Sequence, residues 1–148
     1  MAKVAYPYVS IPLLASDAYQ QGATAHRPLL SATITGSNGE SLRCIVLPDS
    51  GADACLFPLS LAILLKIDVL ALPRALTGGV GSQANTTYYD SLTIDIGNEI
   101  AFTSYVGFTQ GMDAVGFGLL GQTGFFDCHN VEFLHAQKIF TIEKSSHS

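Results

Sequence analysis

The sequence predicts a single, mainly β domain with one or two short helices. Apolar and β-branched residues recur in short runs, and glycine, asparagine and proline separate these runs as hairpin turns do. Residues 92–96 show the period-two alternation of apolar and polar side chains that is typical of a half-buried strand. The length of 148 residues fits one domain with its own core.

The first half of the chain begins with an extended segment. Pro7 and Pro12 interrupt the apolar residues of 1–26, which favours an extended N-terminal arm or edge strand and argues against a helix. Such an arm can lie on a second subunit. Apolar residues resume at 28–35 and return at 42–47 after a glycine-containing turn, which predicts a hairpin.

The helical pattern lies directly after Pro58. Proline is suited to the first turn of a helix, and most residues of 59–66 are good helix formers, so a short helix is predicted there. Further hairpins and a polar, frayed tail at residues 143–148 complete the chain. The hairpins are predicted at 76–89 around a glycine-rich tip, at 92–108 around Gly97-Asn98, and at 131–142.

Charge and hydropathy exclude several classes of function. The net charge is −5 and no cluster of lysine or arginine occurs, so neither nucleic acid nor an anionic membrane is an expected partner. The longest apolar stretch, at 59–65, is far too short to span a bilayer, and the prolines that follow Lys3 argue against a signal peptide. Apolar residues make up 48% of the chain and charged ones 13%, which favours self-association.

The cysteines indicate a reducing compartment. Cys44, Cys55 and Cys128 cannot all pair with one another, and none forms a C-x-x-C motif. They are interpreted as reduced core thiols of a cytoplasmic protein.

An apolar run at residues 44–48 ends abruptly in Asp49, Ser50 and Gly51. Burial penalises an ionised carboxylate unless partners compensate, so this aspartate either caps a turn or carries out chemistry. Asp-Ser-Gly is also ordinary turn chemistry, in which the carboxylate accepts hydrogen bonds from nearby backbone amides. Taken alone, the motif leaves both interpretations open.

Two glycine-rich segments follow. Residues 78–81 form a tip that is predicted to be a mobile hairpin, with a plain flexible loop as the alternative; a phosphate-binding loop is excluded because no Gly-Lys-Ser/Thr follows. Leu-Leu-Gly at 119–121 fits a strand that passes close beneath another backbone, where a larger side chain at Gly121 would collide. A glycine-rich strand end is the alternative interpretation of that segment.

Taken in order, Asp-Ser-Gly-Ala-Asp at 49–53, the glycine hairpin and Leu-Leu-Gly at 119–121 resemble the single-domain retropepsin-like aspartic proteases. That family has an Asp-Thr/Ser-Gly-Ala loop, a flap and a hydrophobic-hydrophobic-Gly element in the same order and at similar separations. The resemblance covers residues 27–142, between the arm at 1–26 and the tail at 143–148. This chain departs from the family at Gln122, where arginine is usual, and at Pro48, where an aliphatic residue is usual.

The resemblance implies a closed retropepsin-like acid-protease β-barrel that functions as a C2 homodimer. It implies an aspartic endopeptidase that activates water between two Asp49 carboxylates, one from each subunit, because each chain has a single such loop. The implied catalytic residues are Asp49, Ser50 and Gly51. The implied substrate-binding residues are Ala52, Asp53, Gly78, Gly79, Val80, Gly81, Phe117 and Leu119, with Leu56 as a further pocket wall. The implied structural residues are Leu120 and Gly121.

Other classes of function compete with this interpretation. The four histidines lack H-x-x-x-H or H-x-x-H spacing, so no metal site is predicted, and no cofactor is implied. Cys128-His129 with Glu132 is only a fragment of a ligand set, and nothing places one thiol beside one imidazole side chain for nucleophilic catalysis. The remaining alternative is a catalytically inactive retropepsin-like dimer that binds peptides or serves in assembly, because fold does not determine function.

Overall fold

The structure, a computed structural model, describes residues 3–78 and 84–146. Strands dominate within these ranges, which confirms the predicted mainly β fold. The strands are β1 (Lys3–Pro7), β2 (Val9–Leu13), β3 (Ala23–Arg27), β4 (Leu30–Gly36), β5 (Ser41–Pro48), β6 (Leu56–Pro58), β7 (Arg74–Gly78), β8 (Ala84–Asp95), β9 (Ala101–Thr109), β10 (Gly118–Leu120), β11 (His129–Leu134) and β12 (Ile139–Lys144). The helix α1 spans Leu59–Leu64, and 3-10 turns cover Val69–Ala71, Gln110–Met112 and His135–Gln137.

Six of the strands close into a barrel. Around the ring, β4 pairs with β5, followed by β10, β6, β9 and β8, and β8 pairs back onto β4 between Thr33↔Asp95 and Gly36↔Leu92. Strand β7 pairs with β8 outside the ring. Closure leaves these six strands without a free edge and confirms the predicted closed barrel.

Alternate side chains of the barrel strands form its core. Ala32 and Ile34 of β4 are buried, as are Leu92 and Ile94 of β8, which face the same interior. Residues in between are more exposed, as the period-two geometry of a strand requires. Burying each large aliphatic side chain contributes roughly 1.5–3 kcal/mol, so the buried face of this alternation stabilises the barrel.

The predicted hairpins are confirmed by strand pairing. Antiparallel pairs join β4 to β5, β7 to β8, β8 to β9, and β11 to β12. The predicted helix is also present but ends earlier than expected, because Lys66 adopts the left-handed backbone conformation with φ 59°. Within the described part of the chain, no helix is both long enough and apolar enough to cross a membrane.

The first and last strands meet in a separate three-stranded sheet. Strand β1 pairs antiparallel with β12, and the buried Tyr6 ring stacks on Phe140 with 5.4 Å between ring centroids. The extended conformation predicted for the N-terminal segment is therefore confirmed, while the domain boundary at residue 26 stays a prediction. The prediction that a frayed tail begins at residue 143 is wrong for its first two residues. Glu143 and Lys144 belong to β12, because they pair with Lys3 of β1 and His129 of β11.

Candidate active site

Asp49 lies where β5 leaves the barrel wall. Its backbone N–H donates to the carbonyl of Leu120 at 2.9 Å, so pairing with β10 continues past the end of β5. The register Leu120↔Pro48 shows that the proline, despite its lack of an N–H, does not interrupt this parallel pairing. The Asp49 side chain is half-buried, so it combines contact with the fold and access from outside.

The loop after Asp49 is closed by its own turn. The N–H of Gly51 donates to Asp49 Oδ1 at 2.9 Å, and the N–H of Ala52 donates to the Asp49 carbonyl at 3.1 Å. The turn chemistry expected of Asp-Ser-Gly is thus present. It does not exclude a chemical role, because a carboxylate can accept this hydrogen bond and still keep acceptor sites with which to act as a base.

Gly121 lies directly against this loop. A Cβ at this position would overlap the carbonyl oxygen of Ala54 and lie 2.7 Å from that of Ala52. Only glycine permits such an approach of two backbones. The close approach expected at residues 119–121 is therefore a feature of the fold.

Hydrogen bonds then join the two segments residue by residue. Gln122 N–H donates to the Ala52 carbonyl at 2.9 Å, and Thr123 N–H donates to the Asp53 carbonyl at 3.0 Å. The Gln122 side-chain amide donates through Nε2 to the Ser50 carbonyl at 2.7 Å. Where the retropepsin-like family usually has a charged arginine, this chain uses a neutral amide to hold the loop.

A buried thiol also takes part in the contact between Gly121 and the loop after Asp49. Cys55 is 0% exposed, and its Sγ accepts the N–H of Gly121 at 3.4 Å. Burial raises the pKa of the Cys55 thiol, so it stays protonated. Burial likewise raises the pKa of Cys44 to about 11. Both cysteines are structural and unsuited to act as thiolate nucleophiles.

An apolar row borders the aspartate. Leu119 of β10 pairs with Leu47 of β5 on one side and with Leu56 of β6 on the other, and all three side chains are half-buried. Leu47 is two residues before Asp49, so strand alternation directs both side chains to the same face. Leu47 was missed by the sequence analysis, although period two counted back from Asp49 would have found it. Phe117, also half-buried, stands two residues before Leu119.

The base of the glycine hairpin is formed by β7 and β8. Strands β7 and β8 pair as far as Gly78↔Ala84, and Thr77 Oγ1 lies 2.7 Å from Thr87 Oγ1 across them. Gly79, Val80 and Gly81 lie outside the described residues. The hairpin is present, and its role as a flap stays a prediction.

The structure thus brings together most, not all, of the predicted site residues. Residues 49–54 contact residues 120–123 directly, and Asp53 itself is exposed at this contact. Within residues 3–78 and 84–146, no group of three or more histidine, cysteine, aspartate or glutamate side chains could hold a metal ion. The arrangement can present one half-buried carboxylate from a loop that hydrogen bonds join to residues 120–123.

Comparison with known proteins agrees with this architecture. The chain is similar to the crystal structure of a retropepsin-like aspartic protease from Rickettsia conorii, with a TM-score of 0.52 and 15% sequence identity over 96% of this chain and 95% of that chain. This likeness shows that the chain has a retropepsin-like fold. No model of a protein family matches the sequence, and no curated protein matches it either.

Proposed function

We propose that this chain is an aspartic endopeptidase in which two Asp49 carboxylates, one from each subunit of a C2 homodimer, activate a water molecule. The observation that carries the proposal is the position of Asp49: in a retropepsin-like fold, it ends a barrel strand in a loop that Gly121 and Gln122 hold from the other side.

The chemistry requires both a base and an acid. Water is a poor nucleophile and an amine a poor leaving group, so a site that hydrolyses peptide bonds must remove one proton and supply another. Two carboxylates a few ångströms apart share one proton because both cannot ionise together. One then deprotonates water while the other protonates the carbonyl oxygen, and no metal or cofactor is needed.

A second copy of the chain supplies the second carboxylate. Each chain has one Asp-Ser-Gly loop, and a twofold axis beside that loop places Asp49 opposite its symmetry mate. Ser50, exposed at the edge of the loop, would cross-link the two loops at the base of the cleft. The apolar surface of the single chain supports association, since Leu70 and Leu76 are 69% and 75% exposed.

The substrate is proposed to be an extended peptide or protein segment with apolar residues flanking the cleaved bond. Leu47, Leu56, Leu119 and Phe117 provide an apolar, partly open wall beside Asp49. The hairpin at residues 78–81 would cover the peptide and pair with its backbone as an added strand, and Asp53 would bind the peptide backbone along the cleft.

A cytoplasmic location is part of the proposal. Cys44, Cys55 and Cys128 are all free thiols, as expected in a reducing compartment.

The test compares the wild-type protein with Asp49→Asn on a mixed peptide library, with and without a transition-state mimic. Asparagine keeps the shape of the side chain but cannot act as a base, so cleavage should vanish while folding and dimerisation survive. Asp17→Asn, on an exposed loop, is the matched control and should cleave normally. Sedimentation at micromolar concentration should give twice the chain mass of 15.7 kDa.

Two results would reject the proposal. Near-normal cleavage by Asp49→Asn would move the chemistry to other residues, and cleavage by a strict monomer would rule out the shared site. A wild-type dimer that binds peptides without cutting them would favour the inactive peptide-binding barrel.

A further inference from the structure

One peptide group lies between Gln122 and the carboxylate of Asp49. Its carbonyl, carried by Ser50, accepts a hydrogen bond from Gln122 Nε2 at 2.7 Å. Its N–H, carried by Gly51, donates to Asp49 Oδ1 at 2.9 Å. The two bonds are therefore consecutive, and they meet in one planar unit.

The planarity of the peptide group couples the two bonds. The carbonyl and the N–H of one trans peptide point in opposite directions, so an anchor on the oxygen also sets the direction of the N–H. Hydrogen bonds in a chain also polarise one another, which strengthens each by about 10–30%. An amide whose carbonyl already accepts a bond is the better donor to a carboxylate.

Gln122 holds this part of the loop at a second point. Its own backbone N–H donates to the Ala52 carbonyl at 2.9 Å, so its side chain and main chain bind the two carbonyls that flank Gly51. Gly51 is exposed, and beyond its chain neighbours an added Cβ would meet only Asp49 Oδ1 within 4 Å, at 3.2 Å.

We propose that Gln122 is a positioning residue that orients the Asp49 carboxylate through the Ser50–Gly51 peptide group. Its catalytic consequence rests on the proposed peptidase function, while the coupling of the two hydrogen bonds does not. The other carboxylates near this contact are those of Asp53, on the loop itself, and of Asp127, whose backbone N–H donates to the Gln122 carbonyl at 3.0 Å. The uncharged amide of Gln122 donates its hydrogen bond without adding a charge beside these groups.

The test uses two variants that differ in what they can donate. Gln122→Leu has a similar size and no donor at any pH. Gln122→Glu is nearly isosteric, and its introduced carboxyl can donate only while protonated, below its ordinary pKa of about 4.3. Gln137→Glu, on the exposed turn His135–Gln137, makes the same charge change away from the loop and is the matched control.

The first measurement needs no substrate. In 15N-labelled protein at pH 7, the Gly51 amide proton should move upfield and exchange faster in Gln122→Leu and Gln122→Glu, and stay unchanged in Gln137→Glu. In Gln122→Glu the wild-type resonance should be partly restored as the pH falls through about 4.3.

The second measurement is peptide cleavage. Gln122→Leu should lower kcat roughly 10-fold with KM within about twofold, less than the 100-fold that a displacement of about 1 Å can cost, because the backbone bond to Ala52 remains. Gln137→Glu should match the wild type in both kcat and KM.

The outcomes separate the two proposals. An unchanged Gly51 amide in Gln122→Leu overturns the positioning role whether or not the protein cleaves peptides. If the Gly51 amide changes in Gln122→Leu but the wild-type protein cleaves no peptide, the coupling of the two hydrogen bonds is supported and the proposed peptidase function is rejected. A loss of kcat that also appears in Gln137→Glu overturns the specific role of Gln122.

Discussion

Replacing Gly121 by alanine tests whether the contact between the two site segments holds the fold and the site together. The added Cβ would overlap the Ala54 carbonyl oxygen and lie 2.6 Å from the Ala54 carbonyl carbon and 2.7 Å from the Ala52 oxygen. These are backbone atoms, so no side chain can rotate away. Either Gly121 or the loop at 52–54 must move.

The expected loss of stability follows from this geometry. Overpacking a well-packed site costs typically about 1–3 kcal/mol, and the upper end applies here because the opposing atoms are backbone. For a chain of this length, each kcal/mol lowers Tm by roughly 2–4 °C, so Gly121→Ala should lower Tm by about 6–12 °C. Displacement of the loop should also abolish peptide cleavage, since residues 49–54 move with it.

Thermal unfolding at one fixed protein concentration measures the loss of stability, and a peptide-cleavage assay measures the loss of activity. Gly111→Ala is the matched control, because its Cβ would meet only the Asn85 side chain, at 3.0 Å, and no positive φ strains it. That variant should stay within about 0.5 kcal/mol of the wild type, as surface substitutions usually do. A Tm for Gly121→Ala within 2 °C of the wild type, on the order of 1 kcal/mol or less, would refute the reasoning.

Two further predictions concern pH. Ala52→Ser adds a hydroxyl that can donate a hydrogen bond to the Asp49 carboxylate and favour its ionised form. The whole pH profile of kcat/KM should therefore shift toward acid by about 0.5–1 pH unit. A profile that stays in place or moves toward alkaline pH would show that residue 52 does not reach the carboxylate. Burial lowers the pKa of His129, against the bond to the Phe125 carbonyl, and Lys144 lowers it further. The neutral imidazole is therefore favoured in the folded state. Its contribution to the stability of the fold is fully present above the unfolded-state pKa of about 6.5 and is lost as pH falls through the lower pKa of the folded state. When the pH is lowered from 7 to 5, the urea concentration at the unfolding midpoint should decrease in the wild type and decrease less in His129→Phe. An equal decrease in both proteins would show that His129 is not the source of this pH dependence.

The strands and hairpins could be predicted because they depend on neighbours in the chain. Alternation at residues 92–96 defines which face of β8 is buried, and Gly97 and Asn98 adopt the positive φ values of 83° and 52° that such a turn needs. The Asp49 loop was recognisable for the same reason, since its Asp-Ser-Gly turn closes on itself.

The end of the chain shows where local patterns fail. Glu143 and Lys144 are polar, and nothing in their neighbours predicts a strand. They continue β12 because β11, the other strand of the same hairpin, and β1, which is remote in sequence, offer backbone partners on both sides.

The sequence by itself determined the fold class and the order of hairpins, and it singled out Asp49 as the candidate acid, since turn chemistry, period-two alternation and the Asp-Ser-Gly motif are properties of consecutive residues. Only the tertiary structure decided that β4 pairs with β8, that Leu47 lies in a row with Leu119 and Leu56, and that the Gln122 amide reaches Ser50. The physical reason is that a hydrogen bond or a packed pair between distant segments depends on the path of the whole backbone, and the short-range forces that shape each segment do not specify that path.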